Sequence, residues 1–156
     1  MACIAALAVL LLAACGGSGG GTTTTQLSPA AYRAAIAKVK TEAAKAQTDV
    51  GKGLQAKTPD ELKQRVDEFA AAIQRIGDEV ARLRPPENAI SANTELAEGL
   101  HDIAAGTRAA SAKIAKLKTA QAGISYLRHS KGPAKGAREV GSALAELQRL
   151  GYATSS

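Results

Sequence analysis

Few side chains in this sequence could do chemistry, and they are scattered. Glu98 and His101 stand three residues apart, a spacing that lets two ligands on one helix face share a divalent metal ion. A di-metal site in a helical bundle needs a second such pair and two further glutamates. No other acid precedes a histidine at that spacing, and Tyr126 holds the place before His129. The pair therefore reads as an ordinary satisfied or solvated histidine, and no metal is expected. Covalent catalysis needs a nucleophile, a base and an orienting group within hydrogen-bond reach. Both cysteines, Cys3 and Cys15, fall within the first 15 residues, and both histidines lie far apart on one helical segment. The glycine run at 16–21 has neither the lysine nor the following helix of a phosphate loop. The chain reads as non-enzymatic and without a cofactor, leaving a metal-dependent enzyme built on Glu98 and His101 as the alternative.

Charge is more informative. The 156 residues carry 20 basic and 14 acidic side chains, a net charge of +6, and none of them precedes residue 31. Pro86 to Asp102 holds Glu87, Glu95, Glu98 and Asp102 with no base, whereas Ile103 to Arg138 holds no acid. The bases in that second stretch are Arg108, Lys113, Lys116, Lys118, Arg128, Lys131, Lys135 and Arg138. Complementarity to a helix macrodipole explains bases in a last turn but fades beyond it. Lys113, Lys116, Lys118, Arg128, Lys131, Lys135 and Arg138 are therefore the candidate contacts for an anionic surface: lipid headgroups, an envelope polymer or an acidic protein partner.

The first residues explain why nucleic acid is not expected. After Met1-Ala2-Cys3 an unbroken apolar run of 11 residues extends from Ile4 to Ala14. It is too short for a membrane span, which needs about 20 residues, and suits the apolar region of a signal peptide. Its end, Leu12-Ala13-Ala14-Cys15, resembles the lipobox of bacterial lipoproteins. The resemblance implies a diacylglyceryl group on the Cys15 sulfur, cleavage between Ala14 and Cys15, and further acylation of the new amine. It also implies attachment to the cell membrane on its extracytoplasmic side. One departure from the pattern is that no Lys or Arg precedes Ile4, so the true start is expected upstream; a retained apolar helix is the competing reading. Gly16 to Gln26, GGSGGGTTTTQ, has the composition of a flexible tether, whose 11 residues would reach about 17–20 Å. Residues 1–14 thus read as signal peptide, 15–26 as lipidated cysteine and linker, and 27–156 as the domain.

The elements that would position the charged residues are helices. Apolar residues make up 46% of the chain but aromatics only 3%, so the apolar share is largely alanine, a strong helix former and a poor core filler. Ser28-Pro29 starts a first helix with Tyr32, Ile36, Val39, Ala43, Ala46, Val50 and Leu54 on one face. Thr58-Pro59-Asp60-Glu61 is a capping box opening a second helix. Its stripe is Leu62, Val66, Phe69, Ile73, Ile76, Val80 and Leu83, and it ends at Arg84-Pro85-Pro86. The pattern then predicts one long third helix from Glu87 to about His129, bent or broken at Gly106 or Gly123. Its stripe is Leu96, Leu100, Ile103, Thr107, Ala110, Ile114, Leu117, Gln121 and Ile124. After the turn at 130–133, a fourth helix puts Ala137, Val140, Leu144 and Leu147 inward and closes at Gly151. The expected fold is all-α, a four-helix, bundle-like domain with heptad-type packing, and a coiled-coil homo-oligomer is the alternative.

The closing residues Leu147-Gln148-Arg149-Leu150-Gly151-Tyr152, with the Arg84-Pro85-Pro86 junction, are similar to those of small exported helical lipoproteins from high-GC actinobacteria. That likeness implies a location more than an activity. Expected, then, is a membrane-tethered interaction or binding module, with a structural spacer of the envelope as the second reading.

Overall fold

The computed structural model describes residues 25–53 and 55–153. Five α-helices follow one another: α1 (Pro29–Gly53), α2 (Pro59–Arg82), α3 (Ile90–Ile114), α4 (Ala120–His129) and α5 (Ala134–Arg149). A single 3₁₀ turn, Glu87–Ala89, leads into α3. The chain is an all-α, bundle-like domain. Its caps are those the residue types dictate. Ser28 Oγ accepts from Ala31 N–H, and Thr58 Oγ1 accepts from Glu61 N–H. The Glu61 carboxylate reaches one residue further back than the capping-box pattern implies and accepts from Lys57 N–H.

α2 and α3 form the central antiparallel pair, α1 lies against α2, and α5 lies against the outer side of α3. Contacts between Asp78 and His101 and between Gln74 and Arg108 fix the α2–α3 register. The apolar stripes close over a main core of Tyr32, Ile36, Ile73, Ile76, Val80, Leu96, Leu100 and Leu147, filled in by alanines. A smaller cluster of Leu62, Val66, Ile114 and Ile124 continues it at one end. All seven α2 positions expected inward are buried or half-buried.

The expected third helix is two helices, so the domain has five rather than four. The break falls at Ala115–Thr119, not at Gly106 or Gly123. α3 tightens into a last turn in which Lys116 N–H and Leu117 N–H donate to the carbonyls of Lys113 and Ile114. Thr119 then caps α4 by accepting from Ala122 N–H. The reason lies in the register. Ile114 packs with Val66, near the start of α2, and a helix running on would soon have no α2 beside it. Folding back returns Ile124 onto Ile114 and Leu62, so its burial is kept. Gln121, which the unbroken stripe had placed inward, is exposed.

The glycines suspected of breaking the helix hold helices together instead. A Cβ on Gly106 would lie 2.5 Å from the Gly132 carbonyl carbon, and one on Gly123 would lie 2.6 Å from Leu62 Cδ2. A Cβ on Gly99 would lie 2.9 Å from both the Gly136 carbonyl oxygen and Val140 N. This backbone contact turns α5 so that Gly136, Ala143 and Leu147 are buried, with Val140 and Leu144 half-buried. Ala137, expected inward, is exposed. Gly151 ends α5 with φ 79, a left-handed closure that glycine adopts freely.

Candidate functional site

The two ends of the bundle differ. At the end where the described chain enters, Leu27 N–H donates to the Arg84 carbonyl at 2.7 Å. Tyr32 is fully buried there and donates its hydroxyl to Asn93 Oδ1 at 3.1 Å, while Asn93 Nδ2 donates to the Val80 carbonyl. The rings of Tyr32 and Tyr152 meet edge to face at 5.2 Å. The Tyr152 hydroxyl donates to Asn88 Oδ1, and Arg33 Nε donates to the Gly151 carbonyl. Burial, with Tyr152 beside it, pushes the Tyr32 phenol up to about 12. This knot ties the start of α1 to the ends of α2 and α5 and to the start of α3. It explains the Leu147–Tyr152 motif as a closure of the fold. Asn93 and Tyr152 had no place in the periodic reading of the sequence, because a polar core position and a residue beyond the last helix break the pattern.

Part of the cation set lies at the opposite end: Lys113 is in the last turn of α3, and Lys116 and Lys118 occupy the α3–α4 connection. α4 then runs back along α3, so Arg128, in its last turn, and Lys131 lie towards Gly106, whose backbone meets Gly132. All five are exposed and make no ion pair among the described residues. The split of the expected third helix creates two helix C-termini, so the macrodipole accounts for Lys113 and Arg128. Lys116, Lys118 and Lys131 lie outside any helix and need another reason. Tyr126, 37% exposed, stands two residues from Arg128. The other two candidates lie on α5. Lys135 is held by Asp102 at 2.6 Å and Glu139 at 3.1 Å, and these acids raise its pKa through hydrogen bonds, Asp102 first. Arg138 is exposed on α5.

His101 does not meet Glu98. Its Nε2 lies 3.0 Å from Asp78 Oδ1, and its ring rests over Gly77 in the α2–α3 seam. Gln74 donates to the same Asp78 oxygen at 3.0 Å. Hydrogen bonds from Gln74 and then His101 outweigh partial burial and hold the Asp78 carboxyl below its ordinary range. Glu98 is exposed. No group of three His, Cys, Asp or Glu able to hold a metal ion comes together among the described residues.

An open groove of about 470 Å³ runs between α1 and α2. Its floor is Ala46, Ala72 and Ile76, and its rim alternates Glu42, Lys45, Asp49, Arg75 and Glu79. Such a rim has no field of one sign. No helix among the described residues is long and apolar enough to cross a membrane. Leu12, Ala13, Ala14 and Cys15, with the segment to Thr24, lie outside the described residues. The chain matches no family model, no curated protein and no solved structure.

Proposed function

We propose that this protein is a lipid-tethered, non-catalytic interaction module of the cell envelope. Cys15 carries the lipid, residues 16–26 serve as tether, and the bundle from residue 27 presents a binding surface on the extracytoplasmic side. The observation that carries this reading is the order of segments in the sequence. An apolar run ends in Leu12-Ala13-Ala14-Cys15, an uncharged Gly/Ser/Thr stretch follows at once, and every charged residue comes later. The bundle is compatible with such a tether. Among the described residues, its core, caps and closing knot are made by residues from Leu27 onward.

The experiment is fractionation of cells expressing the full chain and its Cys15→Ala variant. The wild-type protein is expected in the membrane fraction, and the variant is expected to lose that lipid-dependent attachment. A wild-type protein found wholly in soluble fractions, or a variant processed and attached as the wild type is, overturns the reading.

A further inference from the structure

We infer that the outer face of α1 and α2 binds a second copy of this chain, antiparallel across a two-fold axis at the level of Ala46 and Ala72. The inference stands on the described residues alone, whether or not Cys15 carries a lipid. Its basis is the order of charges on that face. Along α1 the outward row, spaced by threes and fours, runs Lys38, Glu42, Lys45, Asp49 and Lys52, alternating in sign. Along α2 it runs Glu61, Arg65, Glu68, Arg75, Glu79 and Arg82, again alternating, with Ala72 at the centre. The two helices are antiparallel and their levels are fixed. Lys38 Nζ reaches Glu79 at 2.6 Å, Glu42, Lys45 and Asp49 share one groove with Arg75 and Glu79, and Lys52 stands with Glu61 and Arg65. Level by level, the two rims therefore carry the same sign: Glu42 with Glu79, Lys45 with Arg75, Asp49 with Glu68, and Lys52 with Arg65.

Such banding does little for a single chain. Like charges flank the groove where opposite signs would have tied α1 to α2. Lys45 and Arg75, at its centre, make no ion pair among the described residues. Lys38 pairs diagonally with Glu79 and along α1 with Glu42, while Lys52–Asp49 and Arg65–Glu68 lie within single helices. All of these are exposed, and such pairs exchange partners at small cost.

The same banding selects the occupant. A partner of one sign would meet repulsion at every second band. A second copy, turned about an axis that lies in the face and crosses both helices, presents the bands in reverse order. Glu42 then faces the partner's Lys52, and Lys45 faces the partner's Asp49. On α2, Arg65 faces the partner's Glu79, and Glu68 faces the partner's Arg75. Each of these contacts occurs twice, as a two-fold interface requires. Their charges cancel, so the +6 of the chain lies elsewhere and does not hold the copies apart here. The groove over Ala46 and Ala72, about 470 Å³, gives room for the aliphatic stems of Lys45 and Arg75. From Glu61 to Arg82 the face is about 31 Å long, and two helices side by side make it about 20 Å wide. It would bury about 1,200 Å² over both copies, above the roughly 1,000 Å² that a specific interface needs.

The test is sedimentation equilibrium of the full chain in an uncharged detergent, over a series of protein concentrations at low salt. The wild type is expected to associate to a dimer. Glu42→Lys and Lys52→Glu are each expected to weaken that dimer at least about tenfold, because each turns two attractions into two repulsions. Together in one chain they are expected to restore it to within about threefold of the wild type, since they trade signs across the axis. Residues 42 and 52 lie about 15 Å apart on α1, too far to compensate within one molecule. Far-UV circular dichroism checks that all three variants stay folded. A chain that is monomeric at every concentration overturns the inference. So does a double variant as weak as the two single losses added, because the two positions then do not meet across an axis. An association that none of the changes alters overturns it too, since another surface then holds the copies together.

Discussion

Replacing Gly136 with alanine is expected to destabilise the bundle, whereas the same change at Gly141, five residues along the same helix, is expected to stabilise it. The opposition follows from what each new methyl meets. At Gly136 the Cβ would overlap the Gly99 carbonyl oxygen and lie 2.7 Å from Ile103 N and 2.9 Å from Asp102 Cβ. Two of these neighbours are backbone atoms of α3, which no rotamer change can move, so the helices must part. Overlap with backbone atoms falls in the upper part of the overpacking range, about 2–3 kcal/mol. Alanine returns at most about 1 kcal/mol in helix propensity, leaving a net loss of about 1–2 kcal/mol. At Gly141 the methyl meets nothing within 4 Å, so only the propensity gain of up to about 1 kcal/mol remains. Thermal unfolding followed by far-UV circular dichroism should give a Tm about 4–8 °C lower for Gly136→Ala and about 3 °C higher for Gly141→Ala. Refutation would be a Gly136→Ala protein at least as stable as wild type, since α5 could not then meet α3 backbone to backbone.

Three further outcomes are expected. Asn93→Ala strands the Tyr32 hydroxyl and takes one of two donors from the Val80 carbonyl, which keeps Leu83 N–H, so urea unfolding should show a loss of about 1–3 kcal/mol with an unchanged m-value. The Tyr32 phenol ionises at about 12 in the fold against 10.0 for a free group, and a raised pKa stabilises below the unfolded value. That contribution, about 2–3 kcal/mol, should therefore be intact below pH 10 and disappear as the pH rises towards 12; Tyr32→Phe should remove most of this alkaline loss in urea titrations. Thr119→Ala removes the bond to Ala122 N–H that starts α4, and amide exchange should quicken in residues 120–129 as about 1 kcal/mol of capping is lost.

Where local pattern and tertiary packing agree, the sequence was legible. The α2 stripe from Leu62 to Leu83, the caps at Ser28 and Thr58, and the stop at Arg84-Pro85-Pro86 all stand as periodicity and proline chemistry require. The break between α3 and α4 was not legible locally, because it is set by where α2 begins, a constraint that acts across the bundle. Gly106 and Gly123 looked like breaks in the helix, since a one-dimensional reading registers the poor helix propensity of glycine and not the atoms facing it. Asn93 was hidden for a related reason: a buried amide is tolerable only when Tyr32 and Val80 arrive to satisfy it. The acid-free run from Ile103 to Arg138 could be read directly. Which of its bases are paired could not, because Lys135 meets Asp102 across the α3–α5 interface while Lys113, Lys116 and Lys118 meet no acid among the described residues.

The central proposal, a bundle tethered through Cys15, is tested most directly by the intact mass of the protein recovered from membranes, compared with that of Cys15→Ala. A wild-type mass lacking residues 1–14 and carrying a diacylglyceryl group, with both changes absent from the variant, is the predicted result. The unmodified full-length mass in both proteins would contradict it, and the lipid and the tether would fall together.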